Sequence, residues 1–487
     1  MQATAPSPID LSGNMPVVEE LPSTFDPWQA FRSIASLPHA VFLDSAMSHP
    51  HLGRYSYLTA DPFEWMTARR GSMVLQSGGV LANDPLAWLR RQMVNFGDGA
   101  PVLAGLPTFQ GGAIGMFGYD VCHYVERLPR PAIDDFETPD MAVGFYDWVA
   151  AYDHVEKRGW LISTGWPATK PRQRQQRAAQ RLRQARQWLN SGILPTPFNL
   201  GTSPQSLAAC YPLPIHKGIV SNFDRETYLA KIARAIDYVH AGDCFQVNIA
   251  QRLMTQAIGT PLDLYEKLRT RNPAPFAAYF DLGDFVIASA SPERFLRVDE
   301  GEVETRPIKG TRPRGVSAAE DEGRQRELLA SAKDRAENVM IVDLLRNDLG
   351  RVCEYGSINV PALCKLETYQ YVHHLVSQVC GKLRRDKTPV DLLRAAFPGG
   401  SVTGAPKIRA MEIIAELEPT ARGPYCGSLG YIGFNGNMDS NILIRTFTIG
   451  RGWAQFPVGG GIVADSVPER EYEETLHKAE GMLRALN

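Results

Sequence analysis

Strand-like runs in this chain arrive in groups with single helices between them, and that grouping excludes most regular architectures. From Phe25 to Trp160 short apolar runs alternate with Gly, Pro and Asp punctuation, as in PTFQGGAIGMFGYD and DMAVGFYDWVAAYDH. A helix is expected over 170–189, opened by Pro171, with Ala178, Leu182, Ala185 and Leu189 on one stripe. Its arginines suggest RNA, but a net charge of −2 gives the whole chain no pull on a polyanion, so a solvated face is the expectation. The Pro/Ser/Gly-rich stretch that follows reads as a linker. Strands in groups fit an α+β fold better than a regular βαβ sheet.

The second half is punctuated more clearly. Asp224 caps a helix through Val239, with Tyr228, Ile232 and Ile236 on its apolar face and Gly242 ending it. In the strand CFQVNIAQRL, Phe245, Val247 and Ile249 point one way and Gln246, Asn248 and Arg252 the other. Further helices are expected at about Gln325–Arg346, after Pro406, and from Ser466 to the C-terminus, where Ser466 and Glu469 have capping-box spacing. Four regions result: a loose lead-in at 1–20, a first region at 21–189, a linker at 190–221 and a second region at 222–487.

With 487 residues, 44% hydrophobic and 21% charged, the chain suits one large sandwich or two closely packed subdomains. Seven scattered cysteines form no C-x-x-C pair, which points to reduced thiols. MQATAPSPIDLSG lacks the pattern of a signal peptide, and no apolar run has membrane-spanning length. The expectation is a cytoplasmic protein that binds neither nucleic acid nor membrane.

Several residues carry possible chemistry. In ETRPIKGTRPRG, Pro307 and Pro313 oppose helix, so Lys309 is expected at a turn, with Arg306, Arg312 and Arg314 depressing its pKa. A solvated basic turn is the commoner meaning of such a stretch; an aimed amine is the sharper one. Glu337 shares a helical face with Ile341 and Leu344, and Glu474 stands one turn before Lys478. Structural ion pairs account for each alone. Together, two carboxylates from separate helices suit Mg²⁺, which takes few protein ligands.

FPGGSVTGAPK has Gly399 and Gly404 at P-loop spacing, but Ala405-Pro406 replaces Lys-Ser/Thr, so it is no nucleotide loop. With PVGGGIVADS it still offers backbone donors to an anion. Arg445, among aliphatics in NILIRTF, needs an anionic partner. His373-His374 and His49-Pro50-His51 lack metal partners by spacing and read as structural or surface residues. These residues describe an enzyme site for a small polyanion.

Taken together, SPERF (291–295), RPIKGT (306–311), KDRAENVMIVDLLRNDLGRV (333–352), VHHLVS (372–377), AFPGGSVTGAPK (396–407), GPYCGSLGY (423–431), IRTF (444–447) and GGGIVADS (459–466) resemble the chorismate-utilising enzymes. The likeness is greatest to their aminodeoxychorismate-forming branch, component I. It is dense over 222–487 and extends through FQGGAIGMFGYD and PDMAVGFYDW. It implies a large α/β/β/α sandwich with two orthogonally packed, mainly antiparallel sheets, to which both halves contribute.

Within that family anthranilate synthases carry alanine where this chain has Lys309. Isochorismate and salicylate synthases carry a water-activating lysine where it has Gln246. The resemblance therefore implies amination at C4 of chorismate with the enolpyruvyl group retained. Lys309 would be the nucleophile and Glu293 the general acid. Glu337 and Glu474 would hold Mg²⁺. Gly310, Thr311, His374, Thr403, Tyr425, Arg445, Gly459, Gly460, Gly461 and Lys478 would bind substrate, with the N–H groups of Gly460 and Gly461 on the enolpyruvyl carboxylate. No glutaminase elbow G-x-C-x-G-x-Q occurs, so a separate glutamine amidotransferase subunit would supply ammonia. Asp44, Ser45, Pro273 and Phe276 match places where relatives bind tryptophan, with Asp44 standing for the usual glutamate. The alternatives are an anthranilate synthase large subunit and an inactive regulatory or binding subunit.

Overall fold

The computed structural model describes residues 15–47, 52–81, 84–97, 103–192, 203–204, 207–214, 216–369 and 372–487. Two sheets, of 13 and 12 strands, lie face to face with helices outside each. Their strand pairings are antiparallel. The class is α+β.

Alternation along the strands builds the layers. In Val41–Asp44, Val41 enters the core between the sheets and Phe42 the core beneath the outer helices; Phe280 and Tyr279 divide the same way. The inter-sheet core holds Val41, Ile162, Phe280 and Ile287 from one sheet and Trp65, Ile114, Met116 and Leu429 from the other. Strands covered on both faces lose their polar side, which is why this chain reads as apolar runs.

Both halves share both sheets. Val41–Asp44 pairs with Phe276–Asp281, and Gly112–Phe117 with Ser428–Gly433. The stretch 190–221 thus joins two parts of one structure. Within it Tyr211–Pro212 and Val220–Ser221 form the far edge of the first sheet. The lead-in is also shorter than expected, since Val17–Glu20 pairs with Arg158–Ser163 at the opposite edge.

Other differences have local causes. The helix expected at Gln325–Arg346 is two helices, Ala318–Ala330 and Ala332–Gly350, because the Ser331 hydroxyl accepts from Asp334 N at 3.2 Å and caps the second. The Ser466 capping box does not form. Its hydroxyl donates to Glu471 at 2.7 Å, and the last helix, Pro468–Leu486, begins beyond it with no side-chain cap. In Gln246–Gln256 both faces are buried, while Phe245, expected inside with Val247 and Ile249, is exposed just before the ladder.

The arginine-rich helix, Pro171–Asn190, forms as expected with Arg172, Arg183 and Arg186 exposed, but Arg174 and Arg181 are buried. Arg177 and Arg181 both pair with Asp147, which is fully buried, and Arg181 also pairs with Asp61. Arg186 pairs with Glu19, and Arg174 lies 3.6 Å over the Trp166 ring. Only Arg172 and Arg183, both exposed, have no partner among the described residues. No helix among these residues is long and apolar enough to cross a membrane.

Candidate functional site

Lys309 is not at a turn. It lies on Ile308–Pro313, a strand at the end of the second sheet, in register with Leu375 of Val372–Lys382. The register slips between Lys309 and Thr311, with Gly310 at φ 76°. A side chain there would meet Leu328 and Asp334 within 3.0 Å, so glycine alone permits the bulge. The neighbouring arginines are spent elsewhere: Arg306 on Glu367, Arg312 on Glu327 and Asp334, Arg314 on Asp321. Burial, not their charge, lowers the Lys309 pKa; Glu337 opposes it and Lys478 adds to it. No carboxylate lies within ion-pair distance of this amine among the described residues.

Glu293 sits on the turn between Phe285–Ser291 and Arg294–Asp299 and is 6% exposed. Burial raises its carboxyl to about 7, against the pull of a Ser401 hydrogen bond at 2.9 Å and of Lys309. Ser401 also accepts from Lys309 Nζ, at 3.4 Å, through its carbonyl. At neutral pH Glu293 is therefore partly protonated and able to give up a proton.

Glu337, on Ala332–Gly350, and Glu474, on Pro468–Leu486, face the same lysines. Burial raises Glu337, with Lys309 and Lys333 pulling down and Glu474 pushing up. Burial acts upward on Glu474 too, but Lys478, at 2.6 Å, prevails and the pKa falls. Two carboxylates brought together from separate helices are a hard oxygen donor set of the kind Mg²⁺ takes. No group of three or more His, Cys, Asp or Glu that could enclose a metal occurs among the described residues, so water and substrate would complete such a site.

Beside these carboxylates runs the glycine strand Trp453–Ile462. Asn248 N donates to Thr403 O and Ala250 N to Glu418, both away from this strand. Their register partners Gly461 and Gly459 are thus non-hydrogen-bonded pairs whose N–H groups face outward, whereas Gly460 is locked to Ile249. The free donors are Gly459 and Gly461, not Gly460 and Gly461. Consistently, Lys478 Nζ donates to Gly459 O at 3.0 Å. A side chain on Gly461 would strike Gln246 at 2.2 Å, and one on Gly460 would lie 3.3 Å from Glu471.

Arg445 lies outside any strand, between Met438–Ile442 and Thr446–Gly450, at φ 54°. Burial lowers its pKa, and among the described residues its guanidinium meets the carbonyl oxygen of Lys478. Among the described residues no carboxylate pairs with it. Tyr425 stands near enough to influence it. A largely enclosed guanidinium without a counter-ion is a place for an anion.

The remaining candidates divide. The His374 ring accepts or donates to Thr311 Oγ1 at 2.9 Å, and burial pushes its pKa down to about 4, so it is neutral. Thr403 is fully buried and its hydroxyl donates to Gly399 O at 3.0 Å, so it shapes the loop instead of offering a donor. His49-Pro50-His51 lies outside the described residues. Asp44, Ser45 and Phe276 line a separate cavity of about 370 Å³; Pro273 is not in its wall, where Pro275 stands. Asp44 is committed to Arg269, at 2.7 Å, and to Tyr265.

The sequence passes over two residues. Ser401 joins Glu293 to Lys309 from inside a motif already singled out. Glu471, 5% exposed, lies one helical turn before Glu474 on the same face, and that spacing was the available signal.

Residues 54–484 match the profile of the chorismate binding enzymes. The chain belongs to this family. Aminodeoxychorismate synthase component 1 of Klebsiella aerogenes is 42% identical over 459 residues, covering 94% of this chain and 95% of that protein. Anthranilate synthase component 1 of Thermus thermophilus is 40% identical over 460 residues, with the same coverage. The crystal structure of anthranilate synthase component I from Streptococcus pneumoniae covers 90% of this chain and 93% of its own at a TM-score of 0.74 and 33% identity.

Proposed function

We propose that this enzyme converts chorismate and ammonia to 4-amino-4-deoxychorismate, for 4-aminobenzoate and folate synthesis. Ammonia would come from a glutamine amidotransferase subunit bound to this component. The observation that carries the reading is Lys309: an amine with a lowered pKa and, among the described residues, no carboxylate partner, sharing Ser401 with a carboxyl raised to about 7. An activated amine beside a proton donor is the pair that nucleophilic displacement of a hydroxyl requires.

In this reading Arg445, Tyr425 and the N–H groups of Gly459 and Gly461 hold the enolpyruvyl carboxylate. Glu337 and Glu474 would hold Mg²⁺, which when bound neutralises the ring carboxylate and draws electrons from the diene. Glu293 protonates the C4 hydroxyl, which leaves as water while the Lys309 nitrogen bonds to C2 and both ring double bonds shift. Ammonia then bonds to C4, the double bonds shift back and the lysine amine is expelled. The sum is chorismate plus ammonia giving aminodeoxychorismate plus water. His374, neutral, and Thr311 line the ring.

Anthranilate synthase relatives are nearly as similar, so that reading stays second; Lys309 disfavours it. The cavity of Asp44, Ser45 and Phe276 is the proposed seat of any bound tryptophan, although Asp44 reaches it already paired to Arg269. The test is the product mass from chorismate, Mg²⁺ and ammonium. A product with hydroxyl exchanged for amine and the pyruvyl carbons retained supports the proposal; free pyruvate with anthranilate overturns it.

A further inference from the structure

Ser401 stands between the two reacting side chains, and the reaction above assigns it no task. It occupies a short 3₁₀ turn, Gly400–Val402. Its hydroxyl donates to Glu293 Oε1 at 2.9 Å, and its carbonyl accepts from Lys309 Nζ at 3.4 Å. One backbone unit thus touches both groups.

That unit is held rigidly from several sides. A side chain on Gly399 would come within 2.6 Å of Ile442, and one on Gly400 within 2.5 Å of Leu344, so the turn packs backbone-close against two elements. The Thr403 hydroxyl bonds back to Gly399 O at 3.0 Å, and Arg422 donates to Val402 O at 3.1 Å. Arg422 is itself fixed by Glu418 and donates to Asn248 O on the neighbouring strand. Ser401 therefore has little freedom to follow Glu293 or Lys309; they must come to it.

We propose that Ser401 is a positioning residue for this reaction, its hydroxyl holding the Glu293 carboxyl and its carbonyl aiming the Lys309 amine. The proposal rests on the reading of Glu293 as acid and Lys309 as nucleophile. Around the Glu293 carboxyl the titratable groups are Lys309, from the edge strand, and the Cys426 thiol, from the 423–427 loop. Burial pushes that thiol up to about 12, so it carries no charge near neutrality. Ile308 adds a backbone N–H, and the 399–403 loop adds the Ser401 hydroxyl alone. Burial raises Glu293, while Ser401 and Lys309 restrain the rise. Without the hydroxyl one restraint is gone, and the carboxyl moves further up.

The sign of the effect follows. Glu293 works as the acid in its protonated form, so kcat/KM falls as pH rises through its pKa. In Ser401→Ala that alkaline limb moves to higher pH by about one unit, the worth of one hydrogen bond to a carboxylate. Ser401→Thr keeps a hydroxyl and returns the limb toward its original position. The same variants are read without turnover by infrared titration of the Glu293 carboxyl band, assigned by its loss in Glu293→Gln.

The expected result is a wild-type band titrating near pH 7, an upward shift in Ser401→Ala and recovery in Ser401→Thr, with kcat lowered about tenfold in the alanine variant and KM nearly unchanged. A band that titrates at the same pH in wild type and Ser401→Ala overturns the proposal, even if kcat falls, because a space-filling role predicts that. A wild-type enzyme that makes no amine from chorismate overturns the proposed function instead, while the infrared titration still decides whether Ser401 holds Glu293.

Discussion

Two parts of the molecule enclose arginine, and they treat it in opposite ways. On the helix Pro171–Asn190, Arg177 and Arg181 converge on the buried Asp147, and Arg186 meets Glu19. At the site Arg445 is enclosed with a lowered pKa and, among the described residues, meets only a carbonyl oxygen. The first arrangement is complete within the chain. On the function proposed above, the second is completed by an anion from outside. Charge density in a sequence does not mark a binding site; an enclosed charge left without its partner does.

The largest expected effect separates the two. Arg445→Met should lower kcat/KM by roughly 10²–10³, the worth of a buried charge-assisted contact of about 3–4 kcal/mol, while leaving stability unchanged or raised. Arg181→Met should do the reverse. It leaves Asp147, fully buried, with Arg177 alone, and should cost about 3 kcal/mol of stability with kcat/KM of the folded fraction preserved. Urea unfolding beside steady-state kinetics reads both; matching profiles for the two variants would dissolve the distinction.

Lys309→Ala extends the comparison to the site's other unpaired cation. Loss of the nucleophile should lower amination roughly 10²–10⁴-fold and abolish any mass adduct on the chain after quenching with chorismate. Stability should not fall, because no ion pair is broken. Undiminished turnover would shift the balance to the anthranilate reading.

Much of this was legible in the sequence, and the failures share a cause. The helix over 170–189 and the strand after Gly242 were readable because periodicity is local. Motifs in a fixed order likewise singled out Lys309, Glu293, Glu337 and Glu474, which the fold brings within electrostatic reach of one another. What escaped depends on partners far along the chain. Arg306 is neutralised by Glu367 and Arg181 by Asp61 and Asp147, and neither pairing leaves a trace in spacing. Register parity likewise decides that Gly459 and Gly461, not Gly460, keep free N–H groups. The break at Ser331 interrupts a helical pattern by one residue, which no periodicity resolves. Phe245 is exposed because it stands just before the ladder begins.

Glu293 gives a smaller effect, one of pH. Its carboxyl titrates near 4.5 when unfolded and near 7 in the fold, so the native state binds the proton more tightly. The stability this contributes is fully present below about pH 4.5 and is lost as pH rises through about 7. Glu293→Gln removes that dependence. Above pH 7 the variant should be more stable than wild type by about 3 kcal/mol and nearly inactive, as urea midpoints across pH 5–8 would show. Equal slopes in the two proteins would mean that Glu293 is not the perturbed acid.

The smallest effect bounds the rule itself. Arg172 and Arg183 also lack partners among the described residues, yet both are exposed. Water already solvates an exposed guanidinium, so an unpaired charge there signals nothing; desolvation is what makes an unpaired charge costly at Arg445. Arg172→Gln and Arg183→Gln should each change stability by less than about 0.5 kcal/mol and leave kcat/KM unaltered. A substantial loss of activity from either would mean that the arginine helix contacts something the reaction needs. Enclosure would then no longer separate the cation that binds from the cation that is merely solvated.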